Sequence, residues 1–204
     1  MELYGQAPRI FAHPEVFRQS YARSKQPGEA NRRIGFPYAG GQEDLERRGL
    51  PLDPNRDRRE VLPGMHLSGE IERACPFEDT GGSFFRDPEL RESDDIPDDQ
   101  CLVVESGDGL VVILGCCHSG VVNTLEAVFR LFPGRPLHGL IGGLHLLHAK
   151  PARIRSTVAF LRERQPRLVA AGHCTGFQAL CALRSAFRQR FQVLSVGTRI
   201  RMPR

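Results

Sequence analysis

Three short loops in this sequence carry the residues most able to do chemistry. Each opens on glycine and carries a histidine: Gly115-Cys116-Cys117-His118-Ser119-Gly120, Gly142-Gly143-Leu144-His145, and Gly172-His173-Cys174-Thr175-Gly176. Imidazole is a common ligand for zinc and iron, and three protein ligands with one open position is the arrangement of a catalytic metal site. Glycine lets the chain turn sharply and approach a ligand closely. His118 and His173 are each followed within two positions by a small hydroxyl residue, Ser119 and Thr175, then by glycine and a helical pattern. Free N–H groups at such a start would hold phosphate or carboxylate. The metal ligands expected are therefore His118, His173 and His145, with Ser119, Gly120 and Thr175 as substrate contacts. Cys117 and Cys174 flank two of the histidines and have ligand chemistry, but a packing role is expected for both, and for Cys116 and Cys181.

The elements that must position these loops are strand–loop–helix units. Leu110–Leu114 is an apolar run bounded by glycine, which reads as a strand buried on both faces. The helix after it should cover about 121–132, since Leu125, Val128, Phe129 and Phe132 recur at helical spacing. The second unit is a strand over 137–141 and a helix over about 152–164. The third is a strand over 168–171 and a helix over about 177–190. If the strands run parallel, all three histidine loops fall at one edge of the sheet, where ligands sit in open α/β folds. Strands over 100–106 and 110–114 flank Gly107-Asp108-Gly109, a hairpin signal. Strand-like patterns also cover 59–73, and closing strands are expected over 191–196 and 198–202. Ahead of them a short strand over 7–13, a helix over 14–24 and a helix near 42–48 are expected, with loop elsewhere to residue 59.

Composition bounds the function class. A chain of 204 residues with 40% hydrophobic content can build one core, and 21 Gly with 15 Pro imply many turns. One domain spanning 1–204 is expected, with 1–59 loop-rich or poorly ordered and 60–204 forming sheet and helices. No apolar stretch is long enough to span a bilayer and no leader pattern opens the chain, so a cytoplasmic location without a membrane partner is expected. The six cysteines lack the spacing of a secreted framework and read as reduced thiols. Charge is unevenly placed. Residues 60–109 hold 14 acidic and 3 basic residues, a net of −11, while residues 150–204 hold 12 basic and one acidic, a net of +11. The basic half lacks interleaved exposed aromatics, so it reads as a solvated face, and no nucleic-acid partner is expected.

The strings GCCHSGVVNTL, IGGLHL, AGHCTG and SVGTRI resemble the later motifs of the metallo-β-lactamase superfamily. With IFAHPEVF, LPGMHLSGEIER, PFE and DDQCLVV they resemble, more narrowly, its dihydropterin-type ribofuranosylaminobenzene phosphate synthases. The resemblance runs from about residue 8 to about residue 202. It implies an α/β fold, an αββα sandwich whose first sheet is largely absent here, with a mixed sheet flanked by helices and a metal centre at one edge. It also implies a divalent metal, zinc first and manganese or iron next. By motif, His118 and His173 would be ligands, and His145 lies where many members carry a bridging aspartate. The superfamily's H-x-H-x-D-H string is absent, which fits either a truncated reading frame or a degenerate member that does not hold a full dinuclear centre.

Two functions from different classes follow. One is a metal-dependent hydrolase or transferase acting on a phosphorylated or other anionic small molecule, inactive if the remaining ligands are too few. The other is a non-catalytic remnant or interaction module that binds an anionic partner through the basic C-terminal half. A thiol redox role for Cys116 and Cys117 ranks last, because no C-x-x-C motif is present. An apolar sheet face left without its partner predicts self-association into a homo-oligomer.

Overall fold

The computed structural model describes residues 8–24, 26, 28–36 and 40–201. These divide into two compact units, one made of residues up to Arg56 with Ser83–Asp98, the other of Asp57–Gly82 with Asp99 onward.

The first unit is built from short pieces. Strand β1 (Ile10–Ala12) pairs in parallel with β4 (Leu52–Pro54), and β2 (Ser20–Ala22) lies between β3 (Arg32–Ile34) and β7 (Phe84–Phe85) in an antiparallel sheet. A helix, α1 (Gly41–Arg47), is the one expected near 42–48. The helix expected over 14–24 is instead a single 3-10 turn, Pro14–Phe17, followed by β2. Pro14 does open that turn, but Arg18 and the Ser20–Ala22 backbone are extended, which ends it. Asp94, almost fully buried, ties the unit together by pairing with Arg18 and Ser20.

The second unit carries a seven-stranded sheet in the order β12-β11-β10-β9-β8-β6-β5. Its members are β5 (Arg59–Leu62), β6 (Met65–Leu67), β8 (Cys101–Ser106), β9 (Gly109–Leu114), β10 (Leu137–Gly143), β11 (Leu168–Gly172) and β12 (Phe191–Leu194). The last four run parallel, and β5, β6, β8 and β9 pair antiparallel, so the sheet is mixed. Parallel neighbours need crossovers, supplied here by α2 (Val121–Leu131), α3 (Pro151–Arg164) and α4 (Phe177–Phe187). Among the described residues no strand follows Leu194. The strand expected over 198–202 is absent as far as Arg201, and residue 202 lies outside the described residues, as does residue 7 of the first expected strand.

Alternation along the strands sets the core. Val103, Leu110, Val112, Leu114, Leu140, Val169 and Ala171 pack with Val121, Leu125 and Val128 of α2, Ile154 and Leu161 of α3, and Leu183 and Phe187 of α4. Side chains on the other face, including Leu102, Val104, Ile113 and Ile141, are only half-buried, and Val193 is exposed. The sheet is thus covered by helices on one face.

Candidate metal centre

The carboxyl ends of β9, β10 and β11 lie side by side, and the loops leaving them are sewn together by main-chain bonds. Gly143 N–H donates to Gly115 O (3.0 Å), and Leu147 N–H donates to Cys174 O (3.1 Å). A Cβ on Gly143 would lie 2.6 Å from Cys174 Sγ, so only glycine lets the three loops close to this distance. The result is two overlapping groups of ligand atoms. Those of Cys116, His118 and His145 all lie within 4.8 Å of one another, and so do those of Cys116, His173 and Cys174. The His118 and His145 rings are 4.1 Å apart between centroids. The three histidines named from sequence therefore do not form one trio. His118 and His145 meet, and exposed His173 joins them only through Cys116.

Cys116 is the residue that sequence reasoning missed. Two adjacent cysteines point to opposite sides of the backbone, and Cys117 turns inward. It is buried in the core, has a left-handed φ of 57°, and sits 3.5 Å from Thr124 Oγ1. Burial pushes its thiol well above the ordinary value. Cys116 is left half-buried at the histidines. Cys174 is half-buried as well, its thiol pushed up to about 11 chiefly by burial. Cys181, expected to pack, is exposed, because its position on α4 faces outward. His145 and His173 also adopt left-handed φ, 46° and 51°, conformations that non-glycine residues hold at some cost and that cluster at functional sites.

A turn from the acidic segment holds both paired histidines. His118 Nδ1 is 3.0 Å from Thr80 O, a contact that orients the ring. Gly81 lies against His145, and a Cβ there would overlap the imidazole ring. Buried Arg153 of α3 pairs with the Asp79 carboxylate and donates to Asp79 O (3.2 Å), fixing the turn from behind. Histidine ligands are ordinarily oriented this way, through their second nitrogen. His145 Nδ1 is buried without a hydrogen-bond partner. Burial, and then the charge of His118, push its pKa down to about 4, so it is neutral near pH 7, the form that ligates metal.

The start of α2 is occupied. Glu78 accepts from Val122 N–H and Asn123 N–H, both at 2.9 Å, and Asp99 accepts from Ser119 N–H at 2.6 Å. Two carboxylates thus sit at the positive end of the helix, and a Cβ on Gly120 would run into Glu78. Burial of Glu78 outweighs these bonds and raises its pKa above the ordinary carboxylate value. Ser119 is buried, and its carbonyl accepts from Asn123 Nδ2 (2.8 Å). Thr175 is fully buried too. Its hydroxyl donates to Gly172 O (2.7 Å) and accepts from Leu144 N–H (3.1 Å). Beside Cys116 and His173 a cavity of about 550 Å³ opens, floored by Gly142, Gly143 and Gly172 and walled by Leu194 and Val196.

No protein-family model matches the chain. It is 30% identical over 195 residues to the 7,8-dihydropterin-6-methyl-4-(β-D-ribofuranosyl)-aminobenzene-5′-phosphate synthase of Methanocaldococcus jannaschii, covering 92% of this chain and 64% of that protein. It is 26% identical over 177 residues to an uncharacterised protein of the same organism, covering 86% of this chain and 61% of that one. The chain thus spans a little under two thirds of the curated relatives it matches. Among solved structures it is similar to a metal-dependent hydrolase of the β-lactamase superfamily, with a TM-score of 0.80 and 24% identity, over 97% of this chain and 72% of that one. The fold is like that of this β-lactamase-superfamily hydrolase, and the sequence resembles the dihydropterin-type ribofuranosylaminobenzene phosphate synthase.

Proposed function

We propose that the chain is a metal-dependent hydrolase or transferase module that acts on a phosphorylated, anionic small molecule, with zinc as its metal. The observation that carries this reading is the convergence of Cys116, His118 and His145 within 4.8 Å. The donors fit the ion. One thiol and two imidazoles are a borderline-soft set suited to zinc. One imidazole is oriented through Nδ1 by Thr80 O, and the other has a buried, unpartnered Nδ1. His173 and Cys174 extend the set on the far side of Cys116.

A bound divalent ion would supply Lewis acidity toward a phosphoryl or carbonyl oxygen. The rest is done by the chain. Arg153 and Asp79 hold the Thr80–Gly81 turn, and the turn fixes the two imidazole planes. Ser119, Gly120 and Thr175 serve substrate binding by shaping the loop walls, because the Ser119 backbone and the Thr175 hydroxyl are already bonded within the protein. The glycine-floored cavity beside Cys116 admits the substrate. Its phosphorylated character is drawn from the synthase relative, which is named for a 5′-phosphate product.

The test is equilibrium dialysis of the full chain against zinc, with bound metal counted. Retained zinc that is lost in His118→Ala, together with zinc-dependent turnover of p-nitrophenyl phosphate, is the expected result. A chain that retains no zinc contradicts the reading.

A further inference from the structure

A concentration of positive charge lies at the other edge of the same sheet. The amino ends of β9, β10, β11 and β12 open onto a cavity of about 790 Å³, lined by Asp108, His138, Arg164, Arg167, Arg199 and Arg201 together with apolar Leu168 and Ile200. Nothing in the proposed metal chemistry uses it. We propose that this cavity binds a polyphosphorylated small molecule of about the size of a nucleoside diphosphate.

Volume and shape decide between ligand sizes. About 300–1,000 Å³ is the range of small-molecule sites, and the arginines face a concavity rather than a flat stripe, which suits a compact anion better than a duplex. Charge decides the sign. Glu126 accepts from Arg164 (2.7 Å) and neutralises it. Arg167, Arg199 and Arg201 make no ion pair among the described residues. Asp108 and the negative end of α3, which finishes beside the cavity at Gln165, together offset only about 1.5 of these three charges. A surplus of positive charge is left.

Pre-organisation separates this cavity from an ordinary solvated face. The Arg164 guanidinium is stacked 4.7 Å from the Phe160 ring centroid and 5.2 Å from that of Phe129, while bonded to Glu126. One wall is therefore held in place with its own charge already met by Glu126, which leaves Arg167, Arg199 and Arg201 to face the ligand. Guanidinium forks bind phosphate oxygens in pairs, which a point charge does not do. Leu168 and Ile200 supply apolar surface for the non-phosphate part of the ligand.

Calorimetric titration of the full chain with ADP, in the presence of EDTA, tests the assignment. Saturable binding is expected, weakened at least about tenfold by Arg167→Glu with Arg199→Glu, and unchanged by His118→Ala. Both arginines are exposed, and thermal melting of the variant, with the milder Arg167→Gln/Arg199→Gln pair alongside, confirms that the fold persists. Three results overturn the proposal. One is no saturable ADP binding. Another is binding that the double reversal leaves intact or that His118→Ala removes. The third is a duplex DNA oligonucleotide that binds and that ADP fails to displace. None of these bears on zinc retention, so the two proposals fail separately.

Discussion

At the carboxyl ends of β9, β10 and β11 the chain gathers imidazoles and thiols, whereas at the amino ends of the same strands it gathers guanidiniums. The first edge is half-buried and clamped by main-chain bonds. The second is exposed and steadied by one stacked arginine. Burial explains the difference in chemistry. A buried site without a metal must be filled by groups that are neutral near pH 7, and His145, pushed down to about 4, is such a group. Guanidinium does not lose its charge, so it is buried only when paired, as Arg153 is with Asp79, and otherwise collects where water reaches it. The contrast also locates the chain's +11 C-terminal excess: part of it converges on one cavity rather than spreading evenly.

The comparison can be broken at both edges together or at one edge alone. The largest effect is expected from Leu140→Ala. Leu140 is fully buried in β10, which runs between the two edges. The substitution should cost about 2–5 kcal/mol in urea denaturation and weaken zinc and ADP binding together. If one edge survived unchanged, the two would not share a scaffold.

Gly81→Ala comes next and acts on one edge. Its Cβ would displace the His145 ring, so zinc affinity should fall about 10–100-fold, the range for lost outer-shell support, with ADP binding unchanged. Equilibrium dialysis reads the first and calorimetry the second. A full-affinity zinc site in this variant would remove His145 from the ligand set.

The paired substitutions Cys116→Ser and Cys117→Ser sharpen the assignment within the loop. Cys116→Ser should reduce metal affinity with little change in stability. Cys117→Ser should do the reverse, losing about 1–3 kcal/mol by placing a hydroxyl in the core, and melting curves with metal counts separate them.

The smallest effect is a pH dependence at Glu78. Its folded pKa is raised, chiefly by burial, so the folded state holds the proton more tightly than the unfolded chain. That contribution is complete below the unfolded value of about 4.3 and is lost as pH rises through the folded value. Glu78→Gln removes this dependence. The stability difference between the wild-type chain and the variant should therefore be larger at pH 4 than at pH 7. An identical difference at both pH values would show that Glu78 has no raised pKa.

The three strand–loop–helix units were legible in the sequence because each strand is a mostly apolar run ending at glycine and each helix repeats at its own period, signals carried within a few residues. The first unit was legible only at β1 and α1. Its strands are two or three residues long and include Arg32, Arg33 and Pro54, too short for alternation to show and rich in side chains that strands do not favour. The histidine loops were visible by type, but their grouping was not. Whether Cys116 or Cys117 faces the metal position depends on the left-handed φ of Cys117, and adjacent identical residues carry no signal for it. The clamps on His118 and His145 come from Thr80 and Gly81, about 40 and 60 residues earlier. In sequence that segment stood out only for its net negative charge, and its role as a support exists only once Arg153 and α2 pack against it.

The convergence of Cys116, His118 and His145 on a single ion is tested most directly by titrating the full chain with cobalt(II) and recording its absorption spectrum. A thiolate-to-cobalt charge-transfer band should grow to saturation, disappear in Cys116→Ser and persist in Cys117→Ser. Absence of the band, or a band of full strength in Cys116→Ser, would contradict the assignment.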